Sequence, residues 1–223
     1  MRGMARIVAV AFVVLGLSVG VLDAGIVEIS LTAEITLIRD PGGEFDGQLQ
    51  IGDIMTGSYK YDSTTPDSNP LLTVGDYEHY SPPYGISLAV GGFVFQTDPD
   101  NVDFLVEVCN DHIVPPDGYL LRSYNNLALS NGVPVAHISW QLDDTSGTAL
   151  SSDALPTTAP VLNDWDVHWG IIIDTGIKPG HVAIGADVIS VELVPEPATL
   201  LLLGLGTLLV LRSRRSTKGQ HRA

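Results

Sequence analysis

The sequence predicts an all-β fold: an antiparallel β-sandwich of jelly-roll type, flanked by an N-terminal signal helix and a C-terminal transmembrane helix. Three observations lead there. Apolar and polar residues alternate with period two in many segments between residues 25 and 193, and helical periodicity is nearly absent. Clusters of Gly, Pro, Asn and Asp cut that span into short runs. The two long uncharged apolar runs lie at the ends of the chain. A barrel is the alternative closure for the same strands.

Residues 1–24 read as a secretory signal peptide. Arg2 and Arg6 form the positive start, Ile7 to Leu22 is uncharged and apolar, and Asp23, Ala24 and Gly25 end the run. Cleavage after Ala24 fits the small residues there, with cleavage after Gly20 as the rival position.

Residues 25–193 form the exported β domain. In Glu28 to Leu37 the residues Ile29, Leu31, Ala33, Ile35 and Leu37 share one face, and the polar residues share the other. Asp40-Pro41-Gly42-Gly43 is a turn. Ile54 to Tyr61 is the next strand, followed by a loop from Asp62 to Pro70. Ile86 to Val90 and Phe93 to Thr97 flank Gly91-Gly92, a hairpin signal because primed turns need positive φ. Val102 to Cys109, Tyr119 to Tyr124, Val135 to Leu142 and Trp165 to Ile173 are further strands. Asp143-Asp144 is read as a stop. Ser151 to Pro160 is a loop with room for one helical turn. His181 to Gly185 and Asp187 to Leu193 close the domain as two strands.

Residues 194–215 have a different character. Val194-Pro195-Glu196-Pro197 carries two prolines, which lack a backbone donor and keep the segment extended. Ala198 to Leu211 is a 14-residue Leu-rich run without charge. As a helix it is roughly 21 Å long, short of a ~30 Å hydrocarbon core. Snorkelling of Arg212, Arg214 and Arg215 lengthens its reach and anchors the topology, and residues 216–223 read as a basic cytoplasmic tail. This order of triplet, short apolar helix and terminal Arg cluster, behind a signal peptide, resembles the PEP-CTERM sorting signal of Gram-negative bacteria. The resemblance implies recognition and cleavage near Pro195, Glu196 and Pro197 by an exosortase, after passage through the general secretion machinery and transient residence in the inner membrane. It also implies a cell-surface or extracellular destination connected with exopolysaccharide and biofilm. The chemistry then belongs to the exosortase, and this chain is not expected to be an enzyme.

Charge narrows the partners. Between residues 25 and 194 four basic residues (Arg39, Lys60, Arg122, Lys178) face 24 acidic ones, a net charge of −20. A nucleic-acid partner is excluded by repulsion from its phosphates. Cys109 is the single cysteine, so no intrachain disulfide forms, and its place in an apolar strand marks it as a small core residue.

No cofactor is expected, with calcium as the one ion the acidic loops invite. The clusters are Asp98, Asp100, Asn101 and Asp103, and Asp62, Asp67 and Asn69; turn chemistry explains the same residues. Trp165 and Trp169, beside His168, are candidate glycan contacts in a lectin-like reading, and core packing is the competing explanation. His79 between Tyr77 and Tyr80 has the same two readings. Asp143-Asp144 and Asp164 with Asp166 are pairs that a secreted hydrolase would use, but sequence spacing cannot place two carboxyl groups across a sugar, and solvated strand ends are the better explanation.

Overall fold

The computed structural model describes residues 25–176 and 183–195. The signal helix, the transmembrane helix, Ala24, Glu196, Pro197 and the Arg cluster lie outside the described residues. Among the described residues no helix is long and apolar enough to cross a membrane.

Ten strands are described: β1 (Ile26–Ile38), β2 (Ile54–Asp62), β3 (Val74–His79), β4 (Gly85–Val90), β5 (Phe93–Gln96), β6 (Phe104–Cys109), β7 (Asp117–Ser123), β8 (His137–Asp144), β9 (Val167–Asp174) and β10 (Ile184–Leu193). They form one antiparallel sheet in the order β3-β6-β7-β8-β9-β10-β1-β2-β4-β5. The all-β antiparallel reading holds. The layers of the expected sandwich, however, are the two halves of a single curled sheet, joined where β9 pairs with β10.

That joint is narrow. β9 and β10 share three register pairs, Ile171 with Ala186, Ile172 with Gly185 and Ile173 with Ile184. On either side the sheet folds over its apolar face. β1 shows why: Ile29, Leu31, Ala33 and Ile35 are buried while Glu34 and Thr36 are exposed, so one face must be covered. Tyr59 and Tyr61 of β2 meet Trp140 of β8 and Tyr119 of β7 across the core. The Tyr59 and Trp140 rings are 6.1 Å apart, and the Tyr119 hydroxyl donates to the Tyr59 hydroxyl at 3.1 Å. Such aromatic contacts add to the area they bury.

The curl almost closes. Beyond β5 the chain pairs with the segment after β7: Asp98 N–H donates to the Asn125 carbonyl at 3.0 Å, and Leu127 N–H to that of Gln96 at 3.0 Å. The buried Thr97 and Ser123 hydroxyls meet there at 2.8 Å. The architecture therefore stands between the sandwich and the barrel that the sequence left open.

Individual elements depart from expectation for local reasons. The β4–β5 hairpin turns as read, with positive φ at Gly91 (57°) and Gly92 (85°). β3 was not anticipated: it is a sheet edge, paired only to β6, with Glu78 exposed and Asp76 half-buried, its Oδ2 accepting from the Asn69 amide at 2.9 Å. β8 runs on through Asp143-Asp144, whose carboxylates accept from the Gln141 amide of the same strand and from Thr148 N–H in the loop that follows. β10 is one strand, because Ala186 packs in the core opposite Ile35 and register shifts along β1 absorb the change of phase. No helical turn forms within 151–160; a 3-10 turn follows at Leu162–Asp164.

Candidate functional site

The C-terminal signal starts on the last hydrogen bond of the sheet. Leu193 ends β10, and Val194 N–H donates to the Glu28 carbonyl of β1 at 2.9 Å. Pro195 follows, exposed and without a donor, so the ladder stops there. β1 and β10 are antiparallel neighbours with Ile29 in register with Leu193, so Gly25 and Pro195 leave the fold at the same end of one strand pair. Gly25 is itself part of the fold: its carbonyl accepts from Ser63 N–H at 2.7 Å, and a Cβ on it would stand 2.3 Å from Oδ1 of Asp62.

The tryptophans do not share a platform, and this corrects the sequence expectation for the pair. Trp165 is 7% exposed and belongs to the core. Trp169 is 58% exposed. In unbroken alternation Trp169 would point inward with Ile171 and Ile173. The register instead shifts between Gln141 and Leu142, which face Gly170 and His168, so Trp169 is the extra residue of a bulge. Gly170 permits it with a φ of 68°. The Trp169 indole N–H donates to Oδ2 of Asp143. His168 Nε2 stands 3.0 Å from the Leu162 carbonyl and 3.1 Å from that of Trp165; both oxygens accept, so Nε2 carries the proton.

His79 is a core residue. It is 3% exposed, and its Nε2 accepts from Asp62 N–H at 3.1 Å. Its Nδ1 has no partner, and burial pulls its pKa down. Tyr77 is buried and donates to the Asp153 carbonyl at 2.8 Å, while Tyr80 is exposed and donates to Glu78.

The acidic loops are occupied with their own backbone. Oδ1 of Asp62 accepts from the N–H and hydroxyl of Thr64 at 2.8 and 2.7 Å. Oδ1 of Asp67 accepts from Asn69 and Asp76 N–H at 2.8 and 2.9 Å, and Oδ1 of Asp98 from Asp100 N–H at 3.0 Å. Among the described residues no three acidic, His or Cys side chains are grouped to hold a metal ion.

The carboxylate pairs are structural in geometry. Asp144 is 2% exposed and accepts from the backbone of Thr148, Ser146 and Ala149 and from the Ser146 hydroxyl. The Thr148 N–H first and the Ser146 contacts next hold its pKa well below the carboxylate range. Such a group keeps no proton to donate at neutral pH. Asp166 accepts from Thr145 N–H at 3.1 Å. The buried Cys109 thiol is pushed up to about 12 by desolvation first and Glu107 second, which leaves it unreactive.

Sequence reading passed over one feature. Ser58, Lys60, Ser87 and Gln96 line an open cleft on the outer face of β2, β4 and β5. Strand parity marks each of them as outward-facing, but their alignment depends on register between strands.

No curated protein and no solved structure matches the chain. A family profile, the PEP-CTERM protein-sorting motif, matches residues 193–215. That span begins on the last residue of β10 and takes in Pro195, Glu196, Pro197, Arg212, Arg214 and Arg215. The chain is therefore a protein that carries the PEP-CTERM sorting motif, the mark of an exported, exosortase-sorted protein with a membrane-anchored precursor.

Proposed function

We propose that the β domain is a non-enzymatic component of the cell surface or extracellular matrix, associated with exopolysaccharide and released or relocated when an exosortase acts near Pro195, Glu196 and Pro197. The observation that carries this reading is the motif at 193–215, joined without a linker to a folded acidic domain. The tail addresses the chain, and the domain is the cargo. Two features support a cargo that does no chemistry of its own: Asp144 and Asp67 spend their carboxylates on loop backbones, and the Cys109 thiol is protonated and buried. A net charge of −20 over residues 25–194 suits a soluble partner of a hydrated polymer matrix.

The test is the intact mass of the protein recovered from cells that export it. A Pro195→Ala, Glu196→Ala, Pro197→Ala variant serves as comparison. The expected wild-type mass lacks residues 1–24 and the tail beyond the triplet, and the variant keeps its tail. A wild-type protein that retains Arg212 to Arg215 would defeat the processing step. Fractionation of the same cells then locates the mature domain, and a domain found only in the inner membrane would defeat the surface role.

A further inference from the structure

The outer face of β2, β4 and β5 carries a cleft of about 270 Å³. Its floor is one row of side chains across three strands, with Ser58 in register with Ser87 and Ser87 with Gln96. Neighbours in such a row stand about 4.5–5.5 Å apart. The next row pairs Lys60 with Gly85. Gly85 has a φ of 133°, and a Cβ there would meet Oγ1 of Thr97 at 2.5 Å. The position must remain glycine, and it lines the cleft beside Lys60 with backbone alone. Walls come from Pro82, Pro83 and Tyr84 before β4 and from Pro99 after β5.

The polar groups are oriented before any ligand arrives. One carboxylate, Glu28, holds two of them: its Oε1 accepts from the Ser58 hydroxyl at 2.9 Å, and its Oε2 lies 3.1 Å from Lys60 Nζ. The ammonium has three donors and the bridge uses one. The Ser58 oxygen, its proton committed, faces the cleft as an acceptor. The Ser87 hydroxyl and the Gln96 amide each supply both functions. An acceptor at Ser58, a donor at Lys60 and groups of both kinds at Ser87 and Gln96 thus share a floor bounded by pyrrolidine and phenol rings. That pattern matches a sugar ring, whose hydroxyls give and take hydrogen bonds at its edge while its C–H faces are apolar.

Size and charge narrow the ligand further. The volume falls just below the ~300–1,000 Å³ of sites for drug-sized ligands, which limits the cleft to one ring. The lysine charge is offset by Glu28, and the Tyr84 hydroxyl bonds Oδ2 of Asp62 at 3.3 Å, so a carboxylate also stands close by. In so acidic a domain a uronate or sulfate would be repelled. We propose that this cleft binds one unit of a neutral polysaccharide through Ser58, Lys60, Ser87 and Gln96. The source of the polymer rests on the matrix role proposed above; the binding chemistry does not.

The test is affinity electrophoresis of the full-length chain in detergent micelles. The gels contain dextran, hydroxyethyl cellulose or alginate. Working with the unprocessed chain separates the result from the fate of its tail. The expected outcome is retardation by at least one of the two neutral glucans, unchanged by added salt because no counterions are released. Ser87→Ala with Gln96→Ala, and separately Lys60→Met, should each weaken retardation about tenfold, as expected when a charged or paired polar contact is lost. Trp169→Ala should leave it intact. Near-ultraviolet circular dichroism matching the wild type shows that each variant is folded. The proposal is overturned by free migration in both neutral gels, by equal retardation of the cleft variants, or by retardation in alginate alone that salt abolishes.

Discussion

At the scale of single residues the fold depends on a few positions where no other side chain serves. Gly170 is the clearest. Its φ is 68°, and a Cβ would stand 2.6 Å from the Ala186 carbonyl oxygen, a backbone atom of the neighbouring strand. Gly170→Ala should cost about 2–3 kcal/mol or more, from backbone strain and a clash that rotation cannot relieve. Urea unfolding would measure it; a loss below about 0.5 kcal/mol, the scale of neutral surface changes, would contradict the geometry. His79 and His137 make a second prediction. Burial lowers the pKa of both, with Arg122 adding to the effect at His137. The folded chain therefore prefers their neutral rings. The unfolded chain takes up protons near pH ~6.5, and the folded chain only at lower pH. Stability from these groups is complete above that value and falls as pH drops toward the folded-state pKa values. Urea midpoints should decline from about pH 7.5 to about pH 5, still above the pH where most carboxylates titrate. Burial raises the pKa of Glu107 and gives a contribution of opposite sign, so the histidines are best followed directly by NMR titration; rings that protonate near pH ~6.5 in the native protein would contradict their burial. Cys109 gives a third test: a thiol reagent should react slowly with the native protein and fully after unfolding.

At the scale of elements, what could be read in advance depended on whether the signal was local. β1 was legible because Ile29, Leu31, Ala33 and Ile35 alternate within one strand. The β4–β5 hairpin was legible because Gly91-Gly92 is a contiguous turn signal. The sorting tail was legible for the same reason, since order and spacing along the chain define it. Relations between strands were not. The outward turn of Trp169 follows from a shift of β9 against β8; Gly170 beside it is a local bulge signal, but which side chain the bulge turns outward depends on the pairing with β8. The cleft floor likewise exists only once Ser58, Ser87 and Gln96 are aligned across three strands. β3 escaped notice because Asp76 and Glu78 interrupt its apolar residues, and the pairing with β6 and the Asn69 amide that accommodate them are contacts between segments. The run-on of β8 through Asp144 yields its own prediction. That carboxylate gathers the amides of Ser146, Thr148 and Ala149, so Asp144→Ala should speed hydrogen exchange at those three amides and leave β1 unaffected. Unchanged exchange there would mean that the loop holds itself.

At the scale of the whole molecule, one sheet curls over itself with a narrow joint and a hydroxyl-bonded seam that almost closes it. The joint carries core residues on both sides: Ile171, Ile173 and Ile184 are fully buried. Ile184→Ala should cost about 2–5 kcal/mol, as cavity-forming changes in cores do. A smaller loss in urea unfolding would show that the two halves settle together around the gap. The position of the chain ends has a mechanical consequence. β1 and β10 run antiparallel, and their free ends leave at the same end of the pair, where the bond from Val194 to Glu28 is the last rung. Ladder bonds lie across the strands. Tension applied between the two ends therefore pulls along each bond in turn and peels the pair open from that rung, the least resistant way to load a sheet. Were both ends anchored, the domain would hang from a zipper, and severing either anchor would take the strain off it.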